Sequence, residues 1–179
     1  MILYLDTSVI LARWAPGEPS HLEAKAVLQA VEEGKAEAVT SALTLLEIVS
    51  ATSRALERFR EGEEPMSREA VSGALLRRVV NTRSLSMVPF GGDVSLGVGE
   101  RGVTVPALLA VALEAASKTG VKALDSLHVA SVAVASRIYG RSVDYLVTLD
   151  EDMLKRRSEI EGLVGARVAA PGELLPSLQ

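Results

Sequence analysis

The chain has 179 residues, 48% of them hydrophobic, and carries 19 Lys and Arg against 23 Asp and Glu, a formal net charge of −4. That length suits one full α/β domain spanning residues 1–179 rather than two, and the negative balance gives no global attraction for nucleic acid. With no cysteine, disulfides, zinc–thiolate centres and cysteine nucleophiles are excluded, and with only His21 and His128 a histidine-rich site is excluded too. Any metal must then be held mainly by oxygen, which favours Mg2+ or Mn2+ over zinc. No apolar run approaches the roughly 18 residues of a membrane span and no basic leader precedes the first strand. A cytoplasmic protein with no membrane partner is expected.

The chain opens on Met1-Ile2-Leu3-Tyr4-Leu5, an apolar run that stops at Asp6-Thr7-Ser8. That is the pattern of a buried strand ending in a carboxylate, and in open α/β sheets reacting groups collect outside the carboxyl ends of parallel strands. A short helix is expected over 7–14, broken by the proline- and glycine-rich 15–19. A second helix, capped by Ser20, places Leu22, Ala26, Val27, Ala30 and Val31 on one face and ends at Gly34. A second strand over 36–40 leads into a long helix over 42–60, and a charged turn at 61–65 leads into another helix from Ser67 to about Thr82. These two helices form an antiparallel hairpin over about 42–82. Residues 85–90 read as a third strand and the glycine-rich 91–102 as a flexible loop.

Helical pattern resumes over 105–118, stops at Gly120 and restarts over 124–139. This last helix is apolar nearly all round, so it belongs in the core. A fourth strand over 145–148, a short helix over 151–157 and an edge strand over 166–169 complete the chain. Strands alternating with helices predict a three-layer α/β/α domain around a central, mainly parallel sheet of four or five strands.

Four acids stand where such a sheet collects function. Asp6 ends the first strand, Asp150 follows the fourth, Glu47 lies in the helix leaving the second, and Asp125 opens the most buried helix. Each has a plain structural alternative: Asp6, Asp125 and Asp150 could each cap a helix, and Glu47 with Thr44, Ala51 and Arg54 could form a solvated face. Four converging carboxylates without basic partners would repel one another, and a divalent cation removes that conflict. Asp144 is the contrast, at the opposite end of the same strand as Asp150.

These residues carry a resemblance. Leu5-Asp6-Thr7-Ser8, a lone Glu47 in a helix, Leu124-Asp125-Ser126-Leu127-His128-Val129-Ala130 and Val147-Thr148-Leu149-Asp150, in that order, resemble the PIN-domain nucleases, and among them the VapC-type toxins of toxin–antitoxin pairs. The resemblance runs from residue 1 to about 170. It implies that Asp6, Glu47, Asp125 and Asp150 are catalytic and bind one or two Mg2+ or Mn2+ ions, with Thr7 or Ser8 supporting them and Asp152 as a further acid. It also implies an endoribonuclease acting on RNA, a cognate antitoxin and a homodimer. A non-catalytic PIN-like module that binds RNA or protein is the alternative.

Arg54 and Arg58 extend the Glu47 face, and Lys155, Arg156 and Arg157 lie one turn beyond Asp150. Such runs are usually solvated, but beside an acidic cleft they are candidates for RNA phosphate contacts. His128 lies three residues after Asp125, on the same helical face, where it reads first as a hydrogen-bonded core residue and second as a ligand or acid–base group. Gly97-Val98-Gly99-Glu100-Arg101-Gly102 matches the dinucleotide fingerprint, yet Gly91 to Leu96 separate it from the third strand, so it does not make that turn. Asp6 also suggests an aspartate-nucleophile phosphatase, but Ser8 stands where the second aspartate would be.

Overall fold

The structure is a computed structural model and describes residues 1–59, 67–98, 101–140 and 142–178. Five parallel strands make the central sheet: β1 (Ile2–Leu5), β2 (Glu37–Ser41), β3 (Leu85–Val88), β6 (Tyr145–Val147) and β7 (Arg167–Ala169), in the spatial order β3-β2-β1-β6-β7. Successive residues of β1 face opposite sides, as the pleat requires. Leu3 and Leu5 enter one core with α1 (Thr7–Ala12), α2 (His21–Glu32), α3 (Leu43–Arg54) and α4 (Arg68–Val80), while Ile2 and Tyr4 enter a second. That second core is closed by α5 (Ala107–Thr119), α6 (Ala123–Tyr139), α7 (Glu151–Lys155) and α8 (Arg157–Val164). The chain is therefore the expected α/β/α sandwich. From β1 it leaves toward β2 on one side, and β6 returns on the other, so the β1/β6 boundary is the sheet's switch point.

The structure corrects several boundaries. The loop expected over 91–102 is instead an antiparallel pair, β4 (Asp93–Val98) and β5 (Arg101–Pro106), with Val94 opposite Val105, Leu96 opposite Val103 and Gly97 opposite Gly102. Alternating β-branched and aliphatic residues outweigh the glycines, whose number suggested flexibility. Residues 99 and 100 of the fingerprint-like stretch lie outside the described residues. Because β5 runs to Pro106, α5 starts at Ala107 rather than residue 105.

The long helix expected over 42–60 ends at Arg54. Ala55 leaves helical geometry (φ −140°, ψ 54°), and a 3-10 turn covers Leu56–Phe59; residue 60 and the charged turn lie outside the described residues. Helix α4 begins after Ser67, whose side chain accepts the Ala70 N–H at 3.2 Å. Ser20 makes no such bond, and Leu22 is 73% exposed while Ala24 and Leu28 take the buried face of α2. The segment expected to be one short helix over 151–157 divides into α7 and α8, and α9 (Pro171–Leu174) adds a last turn on the first core. Among the described residues no helix is long and apolar enough to cross a membrane.

Candidate metal centre

The site is built at the carboxyl ends of β1 and β6. Asp6 follows β1 directly, is 6% exposed and occupies the N-cap position of α1, yet its carboxylate makes no capping bond. Both of its oxygens have polar neighbours. Oδ2 accepts the Ser8 hydroxyl at 2.6 Å and the Thr148 hydroxyl at 2.7 Å, and Oδ1 lies 3.3 Å from His128 Nε2. Ser8 Oγ in turn accepts the Leu149 N–H at 3.0 Å, and Thr148 Oγ1 accepts the Asp150 N–H at 3.0 Å. The loop after β6 is thus tied to the Asp6 loop by hydroxyls that donate to the carboxylate and accept from backbone.

Glu47 is placed by α3, but not on the solvated face its neighbours suggested. The buried side of α3 is Leu43, Thr44, Ile48 and Thr52, and Leu46 is 65% exposed. Threonines can be buried here because their hydroxyls are satisfied. Thr44 shares hydrogen bonds with Thr40 (2.8 Å) and Thr7 (3.0 Å), and Thr52 donates to the Ile48 carbonyl at 2.9 Å. Glu47 Oε2 accepts the Thr7 hydroxyl and lies 2.8 Å from His128 Nε2.

Asp125 opens α6. Its Oδ2 is buried without a hydrogen-bond partner, and its pKa is pushed up to about 6, first by burial and then by the charges of Asp150 and Asp6. Asp150 caps α7, accepting the Met153 N–H at 2.9 Å through Oδ1, and also lines the cleft. Capping and cleft-lining are compatible for a carboxylate with two oxygens. Asp6, Glu47, Asp125 and Asp150 all border one cleft of about 590 Å³, together with Thr7, Ser8, Arg54 and Arg58.

The remaining candidates lie elsewhere. Asp152 does not border the cleft; it pairs with Lys122 Nζ at 2.9 Å, and the hydrogen bond and charge of Lys122 lower its pKa. Lys155 pairs with Glu151 at 3.0 Å, Arg156 donates to the Thr119 carbonyl at 2.9 Å, and Arg157 reaches Glu173 at 3.3 Å. At the cleft, Arg58 is bridged to Glu18.

One cation beside the site and two residues within it were not picked out in the sequence, or had only part of their role visible there. Lys122, just before α6, has its pKa raised first by the hydrogen bond to Asp152, then by the charges of Asp152, Asp150 and Asp125. Thr148 is the hydroxyl between β6 and Asp150, at a spacing that could have drawn notice. His128 is 1% exposed, as a core residue should be, yet a ligand atom from each of Asp6, Glu47 and His128 lies within 4.8 Å of the others. Burial works to lower the His128 pKa, but the Asp6 charge and the bond and charge of Glu47 outweigh it, so the pKa is raised.

The donor set fits a hard divalent cation. It consists of carboxylate oxygens that line one cleft, including a buried Asp125 oxygen with nothing to bind, and the burial and neighbouring charges that disfavour the ionised Asp125 are what a cation would relieve.

Residues 3–101 match the PIN domain, more than half of the chain. The chain belongs to the PIN-domain family. That match contains Asp6 and Glu47; Asp125 and Asp150 reach the same cleft from beyond it. No curated protein sequence matches the chain. Among solved structures, the fold of this PIN domain is similar to a chain of VapBC2 from Rickettsia felis, solved bound to a DNA fragment from their promoter. The TM-score is 0.55 at 12% identity, covering 95% of this chain and 98% of that one.

Proposed function

We propose that this PIN domain is a divalent-metal-dependent endoribonuclease in which Asp6, Glu47, Asp125 and Asp150 hold Mg2+ or Mn2+. The observation that carries the reading is the convergence of these four carboxylates on one cleft, with an unpartnered buried oxygen on Asp125. A bound cation supplies charge that polarises the scissile phosphate, lowers the pKa of the attacking water and stabilises the departing oxygen. The chain's own residues do the rest. Ser8 and Thr148 fix the Asp6 carboxylate, and Thr7 holds Glu47, so the ligand oxygens need little reorganisation. Leu11, Ala12 and Leu43 add apolar lining to the cleft, and the exposed Arg54 and Arg58 also line it, where they can meet phosphates. The reaction is hydrolysis that leaves a 5′-phosphate and a 3′-hydroxyl. Nothing in it requires the ribose 2′-hydroxyl, so the choice of RNA rests on family membership.

We further propose that the protein is the toxin of a toxin–antitoxin pair and works as a homodimer in the cytoplasm. The likeness of fold to a VapBC2 chain and membership of the PIN family support the pairing with an antitoxin. Incubation of single-stranded RNAs with Mn2+ or with chelator tests the activity. Cleavage only with metal, giving 5′-phosphate ends, is expected. Absence of cleavage across a broad substrate panel in both conditions favours a non-catalytic binding module, and 2′,3′-cyclic phosphate ends contradict the metal-assisted hydrolysis.

A further inference from the structure

The carboxylates facing the cleft have a support behind them that the hydrolytic scheme leaves without a defined task. Tyr4, in the middle of β1, is fully buried on the second-core side, and its hydroxyl meets His128 Nδ1 at 2.7 Å. The two rings pack edge to face with centroids 5.9 Å apart. With Nδ1 held there, Nε2 points at three oxygens: Glu47 Oε2 at 2.8 Å, Asp6 Oδ1 at 3.3 Å and Thr7 Oγ1 at 3.4 Å. Asp6, Thr7 and Glu47 border the cleft and His128 does not. The imidazole therefore stands behind the acids, between them and the core, with no side open to substrate.

Resting on the metal-dependent reading above, we propose that His128, anchored by Tyr4, is a positioning residue that sets Asp6 and Glu47 in their ligating arrangement. An N–H at Nε2 between two carboxylates from different elements, the end of β1 and the middle of α3, fixes their mutual orientation. Without it, the only side-chain links from Glu47 to the Asp6 loop among those described run through the Thr7 hydroxyl. An outer hydrogen-bond partner that orients metal-binding groups is worth about 10- to 100-fold in metal affinity. The location decides against ligation by the ring itself, since a cation approaching from the cleft meets Asp6 and Glu47 first.

The test is titration of the whole protein with Mn2+, following affinity by calorimetry and the metal's surroundings by electron paramagnetic resonance, with thermal melts to check folding. His128→Leu should weaken Mn2+ binding about 10- to 100-fold. His128→Gln, which returns an N–H near the Nε2 position, should recover most of the loss. Tyr4→Phe, which keeps the ring packing and frees Nδ1, should fall between them. If His128→Leu does not fold, a Tyr4→Phe protein with wild-type affinity overturns the proposal by itself. Wild-type affinity in His128→Leu, or a loss in His128→Gln as large as in His128→Leu, also overturns it. Nitrogen coupling to Mn2+ in the wild type would make His128 a ligand and overturn the positioning role. Binding lost in Asp6→Asn but untouched in His128→Leu defeats this proposal alone, whereas no Mn2+ binding to the wild type defeats the metal-dependent reading with it.

Discussion

The two ends of β6 carry an aspartate each, and they have opposite fates. At the amino end, Asp144 Oδ2 accepts the Ile2 N–H at 2.7 Å, while its backbone donates to the Ile2 carbonyl and accepts from Arg167, so the residue stitches β1, β6 and β7 together. At the carboxyl end, Asp150 shares a cleft with Asp6, Glu47 and Asp125, and the charges of Asp150 and Asp6 add to burial in pushing Asp125 up to about 6. Residue type and chain neighbourhood are similar in the two places. Strand direction separates them. In a parallel sheet the carboxyl edge gathers the residues that follow each strand, so acids that are remote in sequence face one another, whereas at the amino edge a carboxylate finds free backbone N–H groups.

The contrast is broken most forcefully by removing charge at one edge and then at the other. Asp6→Asn or Asp125→Asn should lower metal-dependent RNA cleavage on the order of a thousandfold, since metal-assisted charge stabilisation is worth several kcal/mol at the transition state. Asp144→Asn should leave the rate unchanged. Single-turnover rates at saturating Mn2+ make the comparison, and equal losses at both edges would mean that the acids are structural.

How far the sequence carried this arrangement depends on what each residue touches. Asp6 was legible because an apolar strand stops at it, and Asp125 and Asp150 because each opens a helix at a recognisable boundary. Glu47 was legible only as one member of an ordered set. Its neighbours Thr44, Ala51 and Arg54 suggested a solvated face, yet Leu46 and Val49 are exposed while the buried side of α3 includes Thr44 and Thr52, whose hydroxyls are satisfied by contacts that no periodicity shows. His128 was visible as a helical neighbour of Asp125, but its tie to Tyr4 crosses 124 positions of the chain. The β4/β5 pair was missed because glycine content is read residue by residue, whereas a hairpin's stability comes from pairs such as Val94 with Val105.

A smaller effect sharpens the electrostatic half of the comparison. The Asp125 pKa is raised in the folded protein from an ordinary value near 3.8 to about 6. Its folded form therefore favours the proton, so its contribution to stability is intact below about pH 4 and is lost as pH rises through about 6. In chelator, urea unfolding across pH 4 to 8 should show wild type declining relative to Asp125→Asn over that window, with the two equal at the acid end. A constant difference between them would mean that the burial and charge felt by Asp125 are not those described.

The smallest expected effect is at the amino edge. Asp144→Asn keeps an acceptor for the Ile2 N–H and loses only the charge that strengthens it, a cost of about 1 kcal/mol. That corresponds to a fall of roughly 2–4 °C in melting temperature, alike with and without metal. A metal-dependent change in this variant would place Asp144 within reach of the site.

The central claim, that the carboxyl-edge acids share a cation, is tested most directly by melting wild type and Asp6→Asn side by side, first in chelator and then with millimolar Mg2+ or Mn2+. In chelator the two should melt close together, because relief of repulsion among the acids is offset by weaker contacts of the amide with Ser8, Thr148 and His128. With metal at a hundredfold excess over Kd the wild type gains about 2.7 kcal/mol, several degrees, and the variant gains little, so the two separate. Parallel curves for the two proteins across the whole metal range would contradict the account.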